Sequence, residues 1–152
     1  MDECRQILYI VKRLLEGKAD LNDTPVTLLP QEIGILYHGI VKREKDLFNE
    51  FIAELSKACP VTWLNQYSGS RTKIFEQSLK VQTVHSSKGL QYRVILLMWA
   101  DMFKPHSPDD YDMEQRLLYV ALTRASDILI VTYSKENEFI ERMIASGDAE
   151  GK

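Results

Sequence analysis

Two short segments hold residue types able to handle phosphate. Lys80 to Arg93 reads KVQTVHSSKGLQYR, an apolar-alternating strand running into His-Ser-Ser-Lys-Gly with a second buried strand following at once. Such a turn can present consecutive backbone N–H groups, two hydroxyls and an ammonium to an anion. Met113 to Asp127 reads MEQRLLYVALTRASD and places Arg124 near the C-terminal end of an apolar-faced helix, after Thr123 and before small residues. An arginine fixed there can stabilise charge on a transferring phosphoryl group, since its planar fork contacts two oxygens and stays protonated. The same position suits a cation that complements the helix macrodipole. Neither segment is a P-loop, because G-x-x-x-x-G-K-S/T occurs nowhere: Gly17-Lys18 is followed by Ala19, and no residue follows Gly151-Lys152.

The elements that must position these segments follow from apolar spacing. Cys4, Ile7, Val11 and Leu14 recur at helical intervals, with Gly17 as a stop. Leu47, Phe48, Phe51, Ile52 and Leu55 predict a second helix. Between them, Glu32 to Tyr37 reads as a buried strand leading to His38 and Gly39, and Val61 to Leu64 as another. Residues 79–85 and 94–99 supply two more, the latter (VILLMW) apolar on both faces as a central parallel strand should be. Leu117, Leu118, Ala121, Leu122 and Ala125 mark a third helix, and Ile128 to Tyr133 a fifth strand. Phe139, Ile140, Met143 and Ile144 mark a last helix. This alternation predicts an α/β layer structure with a mostly parallel sheet. One domain over residues 1–146 is expected, with Gly147 to Lys152 as a frayed tail.

Composition agrees with one globular domain: 152 residues, 45% hydrophobic and 27% charged. The longest apolar run, Val94 to Ala100, is far shorter than the roughly 20 residues of a membrane span. Asp2, Glu3, Glu16 and Asp20 interrupt the N-terminal segment, so it does not read as a signal peptide. Cys4 and Cys59 lack metal-site spacing, and a reduced, cytoplasmic setting is expected. The net charge of −3 hides a basic stretch, residues 69–93, with Arg71, Lys73, Lys80, Lys88 and Arg93 against Glu76 alone. An anionic partner could dock there, although a solvated loop gives the same cluster. Asp109, Asp110, Asp112 and Glu114 read as a solvated approach to a helix N-terminus rather than as a metal site. His38, His106, Trp63 and Trp99 sit in no motif and read as core or surface residues.

Taken together, TVHSSKGLQY resembles motif V, and LLYVALTRA motif VI, of the superfamily 1 DNA helicases of the UvrD/Rep kind. Both lie in the right order, each followed by a buried strand, and the similarity continues in outline upstream through ACPVTWL and EIGILYHGI. The resemblance implies a RecA-like, P-loop-NTPase-like three-layer sandwich without its own P-loop, acting as the C-terminal of two motor lobes. ATP would sit in the cleft between lobes, its phosphates and Mg²⁺ held mainly by the Walker motifs of the N-terminal lobe, with neither bound tightly by this chain alone. Arg124 matches the motif VI arginine and would reach the γ-phosphate as an arginine finger that senses closure. Thr83 and His85 match motif V positions facing single-stranded DNA, with Ser86 and Lys88 beside them, and Gly89 matches the glycine that lets the turn approach nucleotide. Gln91 stands where the family usually has a ribose-contacting Glu; an amide still bonds a hydroxyl but without charge assistance.

The implied partners are single-stranded DNA and the N-terminal lobe, with no membrane, and the implied polarity is 3′ to 5′. Walker A, Walker B and the Asn-Tyr-Arg-Ser-like motif IV are absent from the sequence. Asn65 to Lys80 is too short for the independently folded insertion of UvrD and Rep. The expectation is a stripped-down lobe, inactive as an isolated ATPase. A non-catalytic nucleic-acid or protein interaction module that reuses the lobe, or the helicase part of a helicase-nuclease, remain the alternatives.

Overall fold

A computed structural model describes residues 2–21, 24–64 and 76–146. The tail at 147–152, and Arg71 and Lys73 of the basic stretch, lie outside the described residues. In chain order the elements are α1 Glu3–Leu15, β1 Ala19–Leu21, β2 Thr24–Val26, β3 Ile33–Tyr37, α2 Lys45–Ala58, β4 Val61–Leu64, β5 Leu79–Thr83, β6 Tyr92–Leu97, α3 Tyr111–Leu122, β7 Ala125–Val131 and α4 Glu138–Ala145.

Local chemistry sets the helix ends. The Asp2 carboxylate accepts the Cys4 N–H at 3.0 Å to open α1, and Asn137 does the same for Ile140 in α4. Gly17, at φ 68°, ends α1 with the Lys18 N–H donating back to the Arg13 carbonyl. β1 and β2 pair antiparallel, Ala19 opposite Val26, a hairpin too short for its alternation to be read in sequence.

The main sheet is parallel throughout, in the order β4-β5-β3-β6-β7. Parallel strands need covering on both faces, which is why all five residues of β3 are buried. Ile33, Ile35, Tyr37, Val94 and Leu96 join Ile7, Val11, Leu14, Phe48 and Leu55 in one core, on the side of α1 and α2. Leu36, Ile95 and Leu97 join Leu117, Leu118, Ala121, Phe139 and Ile140 in a second core, beneath α3 and α4. This is the expected three-layer, RecA-like α/β sandwich.

Some details differ from the sequence reading. β6 lies inside the sheet between β3 and β7, as its apolar run predicts, but it ends at Leu97, and Trp99 leaves the sheet at φ 54°. The Trp99 N–H donates to Glu3 Oε2 at 2.9 Å, and Glu3 also accepts from the Thr132 and Ser134 hydroxyls. That buried carboxylate ties α1 to the carboxyl ends of β6 and β7. Leu47 is 39% exposed, so the inward stripe of α2 is Phe48, Phe51 and Leu55. Finally, α3 stops at Leu122 and Ala125 opens β7, because strand pairing with Tyr92 begins there.

Burial also creates a pH dependence. The Cys4 thiol is pushed up from 9.0 to about 12, first by burial and then by the Asp2 carboxylate. The Tyr92 phenol rises from 10.0 to about 12 by burial, against the opposing effect of its bond from Gln82. Both groups keep their protons to higher pH in the folded state than in the unfolded one. Their stabilisation is therefore complete below the unfolded pKa and is lost as pH rises through the folded value. Thermal unfolding is expected at progressively lower temperature above pH 9, and Cys4→Ala is expected to flatten the early part of that fall; an unaltered fall would remove Cys4 as its source.

Candidate nucleotide and nucleic-acid interface

Residues 84–91 connect β5 to β6, which lie on opposite sides of β3, so this short crossover passes over the middle strand. Thr83 pairs in register with Tyr37, whereas Val94 pairs with Ile33 at the other end of β3. From Thr83 to Tyr92 the chain thus returns about six strand positions, roughly 20 Å. Nine peptide steps reach about 30 Å when fully extended, enough to cover that distance with a short turn included, and Val84 and Leu90 pack into the α3-side core as its anchors. The crossover consequently begins at the carboxyl edge of the sheet and ends at the amino edge.

At the carboxyl edge the chain turns at once. The Ser86 N–H and hydroxyl meet the Thr83 hydroxyl at 3.3 and 3.2 Å, and the Ser87 hydroxyl donates to the Val84 carbonyl at 2.6 Å. His85 and Lys88 are left exposed. With Asp109, Asp112, Met113, Arg116, Leu117 and Val120 they line an open groove of about 430 Å³ beside α3. His85 therefore falls in a single 3-10 turn, His85–Ser87, rather than at the end of the strand. Gly89 has φ 80° with no atom within 4 Å of a built Cβ, so backbone conformation, not crowding within this chain, requires glycine there.

At the amino edge, the Tyr92 N–H donates to the Arg124 carbonyl at 2.9 Å, setting exposed Gln91 beside Arg124. The half-buried Arg124 guanidinium donates to the Val120 carbonyl at 3.1 Å, the Leu90 carbonyl at 3.4 Å and the Thr123 hydroxyl at 3.2 Å. All three acceptors are neutral, so among the described residues this cation has no carboxylate partner. The site residues thus divide between two edges, whereas open α/β sheets usually gather a ligand at their carboxyl ends alone.

Of the described basic residues in the stretch 69–93, Lys80 and Arg93 are not free to meet an anionic partner. Lys80 is 2% exposed, its ammonium donating to the Glu76 and Ser78 carbonyls and the Ser78 hydroxyl; desolvation lowers its pKa. Arg93 pairs with Asp127 at 2.9 Å and Glu32 at 3.2 Å. Both charges are engaged within the fold, because β5 is covered on both faces and Arg93 bridges three elements. Among the described basic residues of the stretch, Lys88 is the one that faces the groove.

The His38–Glu114 pair is not legible in the sequence. Glu114 turns inward, 5% exposed, and meets His38 Nε2 at 3.0 Å, with the imidazole against the Phe103 ring. This joins α3 to the carboxyl end of β3 close to the groove. Residues 76 positions apart leave no periodic signal for such a contact. Asp109 and Asp112 are exposed, as expected of a solvated approach to α3. Among the described residues, no group of three or more His, Cys, Asp or Glu side chains could hold a metal ion, and no helix is long and apolar enough to cross a membrane.

The family of UvrD-like helicase C-terminal domains matches residues 32–136, which include both segments. The ATP-dependent DNA helicase PcrA of Staphylococcus aureus is 36% identical over 67 residues, 39% of this chain and 9% of that protein. PcrA of Staphylococcus epidermidis is 31% identical over 97 residues, 59% of this chain and 12% of that protein. The matched stretch thus spans about a tenth of these relatives' length. The C-terminal domain of a possible DNA helicase from Lactobacillus plantarum superposes with a TM-score of 0.55, covering 91% of this chain and 71% of that one at 14% identity, a likeness of fold alone. With the family match extending over most of its length, the chain belongs to the UvrD-like helicase C-terminal domain family.

Proposed function

We propose that this chain is the second motor lobe of an ATP-dependent DNA helicase or translocase, working against a phosphate-binding lobe whose Walker motifs it lacks. The observation that carries the reading is the division of the site: Thr83, Ser86, His85 and Lys88 at one sheet edge, Gln91 and Arg124 at the other, joined by one crossover. Family membership supports it, as do relatives named ATP-dependent DNA helicases.

Arg124 is the catalytic group of this reading. A guanidinium satisfied among the described residues by neutral acceptors fits a polyphosphate presented from across a cleft, because a charged acceptor bonds it more strongly than the carbonyls it would leave. ATP, held with Mg²⁺ by the other lobe, supplies the phosphoryl group whose transfer to water drives movement. Arg124 adds a fixed positive charge to the γ-phosphate only when the lobes close, so turnover senses closure. Gln91 offers its amide to a ribose hydroxyl, and Gly89 keeps the turn free of side-chain bulk facing the nucleotide. At the opposite edge, Lys88 and His85 attract the phosphates of single-stranded DNA, and the Thr83 and Ser86 hydroxyls hydrogen-bond them.

Salt dependence tests the DNA edge. The chain is expected to bind fluorescent oligo-dT with an affinity that falls as salt rises, and Lys88→Ala to reduce the log–log slope by about 0.7, the loss of one single-strand phosphate contact. An unchanged slope would remove Lys88 from the track. Absence of binding at low salt would count against the DNA edge and in favour of a protein-interaction module.

A further inference from the structure

Beneath the crossover lies a buried pair to which neither edge has yet given a role. Gln82 is completely buried, and its Nε2 donates to the Tyr92 hydroxyl at 2.9 Å. Among the described residues, its Oε1 has no hydrogen-bond partner. An unpaired buried acceptor costs stability, and two apolar side chains of similar shape would avoid that cost. Packing alone therefore gives no reason for this pair. Tyr92 reaches Gln82 by laying its ring across β3 at Gly34, where a Cβ would stand 2.8 Å from Tyr92 Cδ2. The contact is close enough to fix the ring.

The pair also adjoins both edges. Gln82 precedes Thr83, Tyr92 follows Gln91, and the Tyr92 N–H holds the Arg124 carbonyl at 2.9 Å. A path through the core thus runs Thr83, Gln82, Tyr92, Arg124, every step a covalent or hydrogen bond. It has two arrangements of nearly the same shape. The terminal torsion of a glutamine side chain is roughly two-fold, and a phenol both donates and accepts. Turning the amide over lets Tyr92 donate to Oε1 and leaves Nε2 unpaired instead. Each arrangement leaves one amide atom unpaired among the described residues, and coupling between separated sites requires such a two-state element.

We propose that Gln82 and Tyr92 are positioning residues that transmit single-strand occupancy at Thr83 to the placement of Arg124. The inference rests on the function proposed above. Gln82 and Tyr92 touch neither strand nor nucleotide; they act through their neighbours.

The test follows the Arg124 Nε–H resonance of the isotopically labelled chain during titration with oligo-dT, with Gln82→Met and Tyr92→Phe alongside. In the unsubstituted chain, oligo-dT is expected to shift the resonance. Both variants are expected to bind oligo-dT within about twofold of it and to lose about fivefold or more of the shift. Tyr92→Phe keeps the ring over Gly34, so the test survives should Gln82→Met fail to fold. A variant that retains the full shift overturns the proposal, and a lowered melting temperature with the shift intact reduces the pair to packing. If the unsubstituted chain binds no oligo-dT, the DNA reading itself fails and the coupling with it. Binding without loss of coupling in either variant leaves the reading standing and removes only this inference.

Discussion

Arg124→Ala is expected to lower ATP turnover of the two-lobed protein by about 10³- to 10⁵-fold while leaving ATP affinity within about tenfold. Magnitude separates the two roles open to this side chain. As a cation closing α3, through its bonds to the Val120 and Leu90 carbonyls, it contributes about 0.3–1 kcal/mol to stability and nothing to turnover. As an arginine finger it lowers a barrier by roughly 4–7 kcal/mol, each decade of rate being about 1.4 kcal/mol. Single-turnover hydrolysis, with nucleotide binding measured separately, distinguishes them. Arg124→Lys should recover little, because an ammonium cannot contact two phosphate oxygens in one plane. A lowered melting temperature with full turnover would leave Arg124 as a helix cap.

The largest expected loss of stability is at Phe48. Its ring is fully buried and lies 5.1 Å from the rings of Tyr37 and Trp63, 5.7 Å from Phe51 and 5.6 Å from Trp99. Phe48→Ala opens a cavity among four aromatic side chains that cannot collapse into it without leaving their own partners. The expected cost is about 3–5 kcal/mol, or roughly 6–20 °C in melting temperature for a domain of this size. Leu47→Ala, one residue away on the exposed side of α2, should cost less than about 1 kcal/mol. Thermal unfolding of both variants checks the helix face directly, and a reversed order would mean that α2 presents a different face. Tyr37 and Trp99 flank the carboxyl edge of the sheet, so the Phe48 variant should also weaken oligo-dT binding under conditions where it is still folded.

Periodicity makes the layers legible in the sequence. Residues such as Ile7, Val11 and Leu14, or Phe139 and Ile140, are buried because the pattern that sets a helix face also sets its partner. The pattern failed where it carried no information about neighbours. Lys80 looked like surface charge because lysine rarely stays inside, yet β5 is covered on both faces and the Ser78 and Glu76 oxygens satisfy its ammonium. Ala125 continued a helical spacing that the strand pairing of Tyr92 cut short. The candidate residues themselves could be named from their two segments. Their separation onto opposite edges could not, because strand order decides that 84–91 crosses β3, and no local spacing encodes strand order. The His38–Glu114 and Gln82–Tyr92 pairs were hidden for the same reason, each joining elements that only the fold brings together.

The central claim is that this lobe completes an ATP site it cannot form alone, and that DNA at its other edge governs that site. Steady-state ATP hydrolysis, with and without oligo-dT, measured on the chain alone and on the two-lobed protein, tests this most directly. The expected result is no turnover by the chain alone and DNA-stimulated turnover by the two-lobed protein, abolished by Arg124→Ala. Turnover by the chain alone, or turnover by the two-lobed protein that responds neither to DNA nor to loss of Arg124, would contradict it.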